Sequence, residues 1–540
     1  MEISNTKPAS LRSILSEPIS PGVTWVLAAI AFSVLGERIQ AAVLLNHDIS
    51  WIVHSSRWLL RGAEFGLDVI DPNPPLAWWL SMPAAFLAEH GLASEPTAIR
   101  AVFWAYFLGT FALFVRVTSQ FAPAHRSTAV GWQIGFLVML ALAPAASFGQ
   151  REYLSVLFAM PYLATVSLRL ERQPVRLSVA VVVGILAGIG FGFKPYLLAV
   201  PLLLEIYLVA RTEVRSILRA ESLAMGTTLA CYAGLVLLLC PQYFSHAIPL
   251  MRAIYWAFDS NNPSILVSRY LSVAQPLLFA ALAGVLARTW APQLTVLAIA
   301  CLGYSASYFI QSKGFVYHGF PVLACAAMLA IAAVATGLSR VRSDLEQKQA
   351  SVWGRSLLVV LPLLLAKPAL AVHAGVASWF AQYNTTWGQV GVNRTSLIDL
   401  VNHHAAGEGK YFYAFSMHLF PGFPTASYTT AEWSGRSATQ AILSAYARRD
   451  ELVSEHDRRR VEAAAQLQRQ MVIEDFVERP PEVVLMETMR SRFGMNGRTF
   501  DDVEFYLAAP EFKSIWDGYV EAPAIGPYRV FVRRADHPAG

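Results

Sequence analysis

Charge is what this chain has least of. Only 15% of its 540 residues are Asp, Glu, Lys or Arg, whereas 55% are hydrophobic, and the mean hydropathy is +0.43. A soluble globular chain carries about 25% charged residues. An ordinary soluble enzyme, a coiled coil and a disordered chain are therefore excluded. No dense basic stripe occurs, so nothing points to a nucleic-acid partner. Cysteine is scarce as well. Cys231, Cys240, Cys301 and Cys325 all stand inside apolar runs, as small hydrophobes do, and imply neither a disulfide framework nor a zinc site. No small-residue cleavage site follows the first apolar run, which reads as an anchor rather than a signal peptide.

The acids that are present divide the chain. Residues 379–540 hold 20 of the 37 Asp and Glu, with 17 Lys and Arg. Residues 1–378 hold 17 acids against 25 basic residues. This predicts a membrane body over 1–378 and a water-soluble domain over 379–540. A membrane-spanning helix needs ~20 largely apolar residues, because lipid cannot satisfy a bare backbone. Eleven segments qualify: 22–44, 97–117, 129–148, 152–168, 177–193, 195–210, 222–240, 270–288, 291–310, 319–338 and 356–377. The fifth and sixth could be one kinked helix, but Lys194-Pro195 argues for a break.

Lys and Arg in the short loops set the orientation. With the N-terminus in the cytoplasm, cytoplasmic loops collect Arg126, Arg169, Arg172, Arg176, Arg211, Arg215, Arg219, Arg288, Arg340 and Arg342, among others. The opposite short loops hold little more than Arg151, Lys194, Arg252 and Lys313. Residues 37–96 and the whole tail then lie on the outer face, the periplasmic side of a bacterial inner membrane. Ionisable groups at the outer ends of apolar helices are functional suspects by default; snorkelling is the plainer reading.

The 37–96 loop is too long for a connector. Asp48 sits just past the first span. Ile49, Ile52, Val53, Leu59 and Leu60 then give a rough apolar face, predicting an interfacial helix over 49–61 that stops at Gly62. Asp71-Pro72-Asn73-Pro74-Pro75-Leu76 forces a turn, and an aromatic helix follows with Trp78 and Trp79, residues that favour the headgroup level.

This order resembles the GT-C superfamily of glycosyltransferases that use polyprenyl-phosphate sugars, among them the aminoarabinose–lipid A transferases and the protein O-mannosyltransferases. The parts that carry the likeness are Asp48, the helix after it, Gly62, Pro74-Pro75-Leu76 with Trp78-Trp79, Arg100, and Arg151-Glu152 between the third and fourth spans. One departure matters: the lipid A transferases have an acid pair and a Lys before the double proline, where this chain has His47-Asp48 and Asn73. Other cations must then hold the donor phosphate. The resemblance implies a polytopic α-helical, GT-C-like membrane protein of about eleven transmembrane helices with a C-terminal soluble α/β domain. It also implies transfer of a sugar from a polyprenyl-phosphate donor to a lipid, glycan or protein acceptor, as in lipopolysaccharide or other cell-envelope assembly.

Such a transfer needs a base for the acceptor hydroxyl and cations for the departing phosphate. A single inverting displacement needs one carboxylate. The resemblance assigns Asp48 as base and Glu152 as the second acid, able to orient the acceptor, hold a divalent metal near Asp48 or pair with Arg151. Lys194, Lys313, Arg151, His318 and Tyr317 are the expected phosphate-binding groups, and His47, Trp51, Asn73 and Trp256 face substrate. Arg252 and Arg269 are weaker candidates. Glu205 reads as a paired buried acid, and His403-His404 as surface. In the tail, 411–415, 483–487 and 528–533 read as strands and about 434–475 as helix, a small mixed α/β domain. Two other classes compete: a flippase for a lipid-linked glycan, which calls for an inverted repeat absent here, and a non-catalytic envelope-assembly protein.

Overall fold

The computed structural model describes residues 21–258, 291–311, 313, 315–347, 394–489 and 492–534. Expected spans 270–288 and 356–377, along with Arg269, lie outside them. The other nine expected spans all fall on helices. Six are long and apolar enough to cross a membrane by themselves: Gly22–Ala41, Glu95–Thr118, Arg151–Leu170, Ala220–Leu239, Pro292–Gln311 and Tyr317–Arg340. The remaining three are shorter or broken. Arg126–Leu137 runs on into a π turn at Val138–Leu142. Leu177–Gly192 stops before Lys194, whose backbone is extended (φ −149°, ψ 139°). Pro195–Leu198 then forms a 3-10 turn leading into Ala199–Arg211. Proline's missing N–H separates these two helices as expected.

Arg151–Leu170 is the central helix: 89% of its apolar window is buried, against 11% for peripheral Ala220–Leu239. Gly149 sets its start. Its φ is +77°, and an added Cβ would meet Phe103 at 2.1 Å, so only glycine fits. At the end of the bundle away from the tail Glu205 is paired as expected, accepting from Tyr162 (2.6 Å) and Arg219 (2.7 Å).

The first outer loop forms helices His47–Leu60 and Leu76–Glu89. Asn46 caps the first by accepting the Asp48 N–H at 2.9 Å, which satisfies one orphan donor of the first turn. Gly62, at φ +99°, allows the chain to leave this helix.

The tail is one five-stranded sheet: β1 (Tyr411–Phe415), β2 (Glu432–Trp433), β3 (Pro481–Glu487), β4 (Tyr519–Ile525) and β5 (Tyr528–Arg533). Their order is β2-β1-β3-β5-β4. β1 pairs parallel with β2 and β3, while β5 pairs antiparallel with β3 and β4. The three expected strands are present. β2 has two residues and no pattern to read, and β4 is a largely exposed edge carrying Glu521 and Pro523. The expected helix over about 434–475 is two helices, Ala441–Ala447 and Glu455–Glu478, and residues 434–440 form an irregular segment before them. Ser454 starts the second by accepting the Asp457 N–H.

The tail is fastened to the first outer loop by a buried polar cluster. Glu95 accepts from Arg57 Nη1 (2.8 Å) and Ser427 Oγ (2.6 Å) and lies 3.0 Å from His54 Nδ1. At the exposed rim of the cluster Arg61 bonds both Glu89 and Glu432, at 2.6 and 2.9 Å. Removing one partner of a buried pair strands the other charge, at a cost of about 3–5 kcal/mol. Glu95→Ala should lower the thermal midpoint of the detergent-solubilised protein by several degrees and loosen the tail to protease. An unchanged midpoint would show that the cluster contributes little.

Candidate active site

A cavity of about 920 Å³ opens between the outer helix ends and the tail, within the range that holds small-molecule ligands. Among the expected site residues its wall includes His47, Asp48, Asn73, Arg151, Trp256, Lys313 and Tyr317. It also includes Tyr255, which the sequence reading sets beside Trp256 as a cover for sugar or lipid, and three residues that it passed over: Asp71, His418 and Arg448.

Asp48 stands in the first turn of its helix, where a carboxylate suits the dipole. Its Oδ2 accepts from Gln150 Nε2 at 2.9 Å and lies 3.8 Å from His47 Nε2. The same Gln150 amide donates to Asn46 Oδ1 at 2.8 Å, tying the loop before the central helix to the cap of the first outer helix. Asp48 Oδ1 makes no hydrogen bond among the described residues. Burial pushes this carboxyl up, but His47, Arg151, Gln150 and His418 together hold it below the usual carboxylate value, so it is ionised at neutral pH.

Arg151 is 5% exposed. Its Nε is buried with no hydrogen-bond partner, and no ion pair closes on its guanidinium among the described residues. The Asp48, Glu152 and Asp71 carboxylates balance its charge from nearby, but its buried donors stay unsatisfied unless a ligand supplies acceptors. Asp71 lies across the same wall. Its Oδ1 accepts from the backbone and side-chain N–H of Asn73, both at 2.8 Å, and Oδ2 accepts from Trp51 Nε1 at 3.2 Å. Burial raises this carboxyl; Arg151 and Asn73 oppose it, Asp48 adds to it, and the net shift is upward. Lys313 is buried on the wall 4.0 Å from the Tyr255 ring centroid and donates to the Tyr255 carbonyl at 3.3 Å.

Five expected residues are placed otherwise. Glu152, Lys194 and His318 lie off the cavity wall, in a buried cluster of their own. Lys194 Nζ donates to Glu152 Oε1 (2.6 Å) and Gln311 Oε1 (3.0 Å) and lies 3.2 Å from His318 Nε2. Glu152 thus pairs with Lys194 rather than with Arg151. Successive helical residues diverge, so Arg151 meets the cavity while Glu152 meets Lys194. Trp51 is 1% exposed, packs on Trp58 and Phe423, and reaches the site only through Asp71. Arg252 is exposed and off the wall.

Near Asp48, Arg151 adds positive charge, and Lys194 takes Oε1 of the second carboxylate, Glu152, while its Oε2 is buried without a hydrogen-bond partner. No group of three His, Cys, Asp or Glu suited to a metal occurs among the described residues.

No protein-family model matches the chain, and no curated protein matches it by sequence. Solved structures do match. ArnT from Cupriavidus metallidurans in its apo state is similar with a TM-score of 0.54 at 13% identity, over 96% of this chain and 100% of that one. The same protein bound to undecaprenyl phosphate is similar with a TM-score of 0.53 at 13% identity, over 96% of this chain and 99% of that one. The chain therefore shares the fold of that ArnT, a multi-helix body with a small C-terminal sheet domain.

Proposed function

We propose that this protein is a membrane glycosyltransferase that moves a sugar from a polyprenyl-phosphate donor to a lipid, glycan or protein acceptor on the periplasmic face. One observation carries the reading: a buried, unpartnered guanidinium, Arg151, shares a cavity with an ionised carboxylate, Asp48, that keeps one oxygen open. Such a pair can hold an anionic leaving group and take a proton in one place. The fold supports it, since a protein of the same fold is described as binding undecaprenyl phosphate.

The reaction balances as one displacement. Asp48 Oδ1 takes the proton of the acceptor hydroxyl. The acceptor oxygen bonds to the anomeric carbon as the carbon–oxygen bond to phosphate breaks. The bonding pair stays on the phosphate oxygen, and the polyprenyl phosphate leaves with its added negative charge facing Arg151 and Lys313. A phosphate is already a good leaving group, so these cations stabilise charge and no general acid is needed. The anomeric centre inverts.

The periplasmic side follows from the Lys and Arg bias of the loops. A short-chain, water-soluble polyprenyl-phosphate sugar added outside sealed right-side-out membrane vesicles should lose its sugar to the envelope fraction, with inverted configuration. The same donor outside inside-out vesicles should not turn over. Turnover only in the inside-out vesicles would reverse the topology, and no turnover in either would defeat the transferase reading.

A further inference from the structure

The two halves of the tail sheet face different surroundings. β1, β2 and β3 run parallel, so their carboxyl ends share one edge. In open α/β sheets ligands bind in the crevice outside that edge. Here the edge is set against the membrane cavity. His418 follows β1, Ser437 and Thr439 follow β2, and Phe493 and Asn496 follow β3; all five line the cavity. No residue of β4 or β5 does so among the described residues. A bridge between Ile70 and Ser437 continues the edge into the first outer loop, one residue before Asp71.

This edge differs chemically from the Arg151 end. His418 Nδ1 accepts the Phe420 N–H at 3.2 Å. The neutral imidazole then carries its proton on Nε2, and protonating Nδ1 would set two hydrogens against each other. In that neutral form His418 is a donor through Nε2. Thr439 Oγ1 accepts the Ala441 N–H at 3.2 Å, which leaves its own hydroxyl hydrogen to donate. Asn496, at φ 51°, is exposed and offers both a donor and an acceptor. The Phe493 ring is 40% exposed and stacks on Phe258 at 5.0 Å. The tail's charged pair on this wall is spent internally: Arg448 bonds Glu451 (2.8 Å) and the carbonyls of Ala257 (2.8 Å) and Gly494 (2.9 Å).

Uncharged donors and acceptors beside an aromatic face suit a sugar ring, whose hydroxyls do both and whose C–H face is apolar. They suit a phosphate or a charged peptide poorly. We propose that the carboxyl edge of the parallel strands is the acceptor subsite, and that the head group it binds is a carbohydrate. The proposal rests on the transferase reading and names the acceptor class within it. The path to the base is short: the His418 and His47 rings lie 4.9 Å apart, and His47 is 3.8 Å from Asp48.

Photo-crosslinking in native cells tests this. The full-length protein would carry p-benzoylphenylalanine in place of Thr439 or, as a control, of Val520, which is 41% exposed on β4. Irradiation should attach a glycan or glycolipid at position 439, read by mass spectrometry, and none at 520. A peptide adduct at 439, or no adduct, would overturn the proposal, provided the substituted protein still binds undecaprenyl phosphate. A Ser437→Ala, Asn496→Ala double variant gives a second readout. Its undecaprenyl phosphate affinity should stay within about twofold of the parent. A tenfold loss would assign the edge to the donor instead. Failure of the unmodified protein to bind undecaprenyl phosphate would sink the transferase reading and the acceptor assignment with it, whereas binding without a glycan adduct at 439 would sink the acceptor assignment alone.

Discussion

Asp48→Asn should lower sugar transfer ~10²-fold or more while leaving undecaprenyl phosphate binding nearly intact, because it keeps the side chain's size and removes the proton acceptor. The Gln150 amide that donates to Oδ2 can still meet the Asn carbonyl, so the local structure should persist. The pH profile gives an independent check. The free enzyme's Asp48 is held below the usual carboxylate value. Its base form is therefore present throughout the neutral range and is lost only as pH falls through that depressed value. The acid limb of kcat/KM, which reports the free enzyme, should thus lie at or below the ordinary carboxylate range. Near-normal transfer by the Asn variant would remove Asp48 as base and leave Asp71 as the carboxylate to test.

Arg151→Met should weaken undecaprenyl phosphate binding about tenfold to a hundredfold, the loss expected when a charge-assisted contact of ~1.5–3 kcal/mol is removed. Isothermal titration or competition binding would measure it. The same change takes away one of the groups that lower the Asp48 carboxyl. The acid limb should then move to higher pH, a shift that damage to the fold alone would not produce. Arg151→Lys should restore part of the affinity, since it keeps the charge and loses the planar fork. Unchanged affinity in the Met variant would place the phosphate elsewhere and leave the buried guanidinium unexplained.

The membrane body was legible because lipid leaves the backbone few options. Every expected span within the described residues is helical, and the Lys194-Pro195 break was readable from proline's missing N–H. Arg151 stood out as a rare charge at a helix end and Asp48 through the resemblance, and both line the cavity. Pairing was not legible. Arg151 and Glu152 are neighbours in sequence, yet the helix turns them apart, and Lys194 claims the second. Asp71 stood in view within the proline-rich turn, but only the fold aims it into the cavity. His418 had no signal: it lies 370 residues from Asp48, and nothing local marks it as part of the site.

The cluster that fastens the tail has a consequence for how the protein is made. Glu95 and Arg57 emerge early in synthesis, whereas Ser427 and Glu432, which complete their partnership, are more than 300 residues later. Until then Arg57 and Arg61 can pair only with Glu89 and Glu95 of the same loop, and the contacts that the tail supplies are missing. Loop closure over such a span is entropically costly and must precede the contacts that reward it. A chain stopped short of residue 394 can therefore insert its helices and still lack the roof of its cavity. The cavity, whose wall includes tail residues from Met417 to Asn496, is thus completed only after the tail has been made.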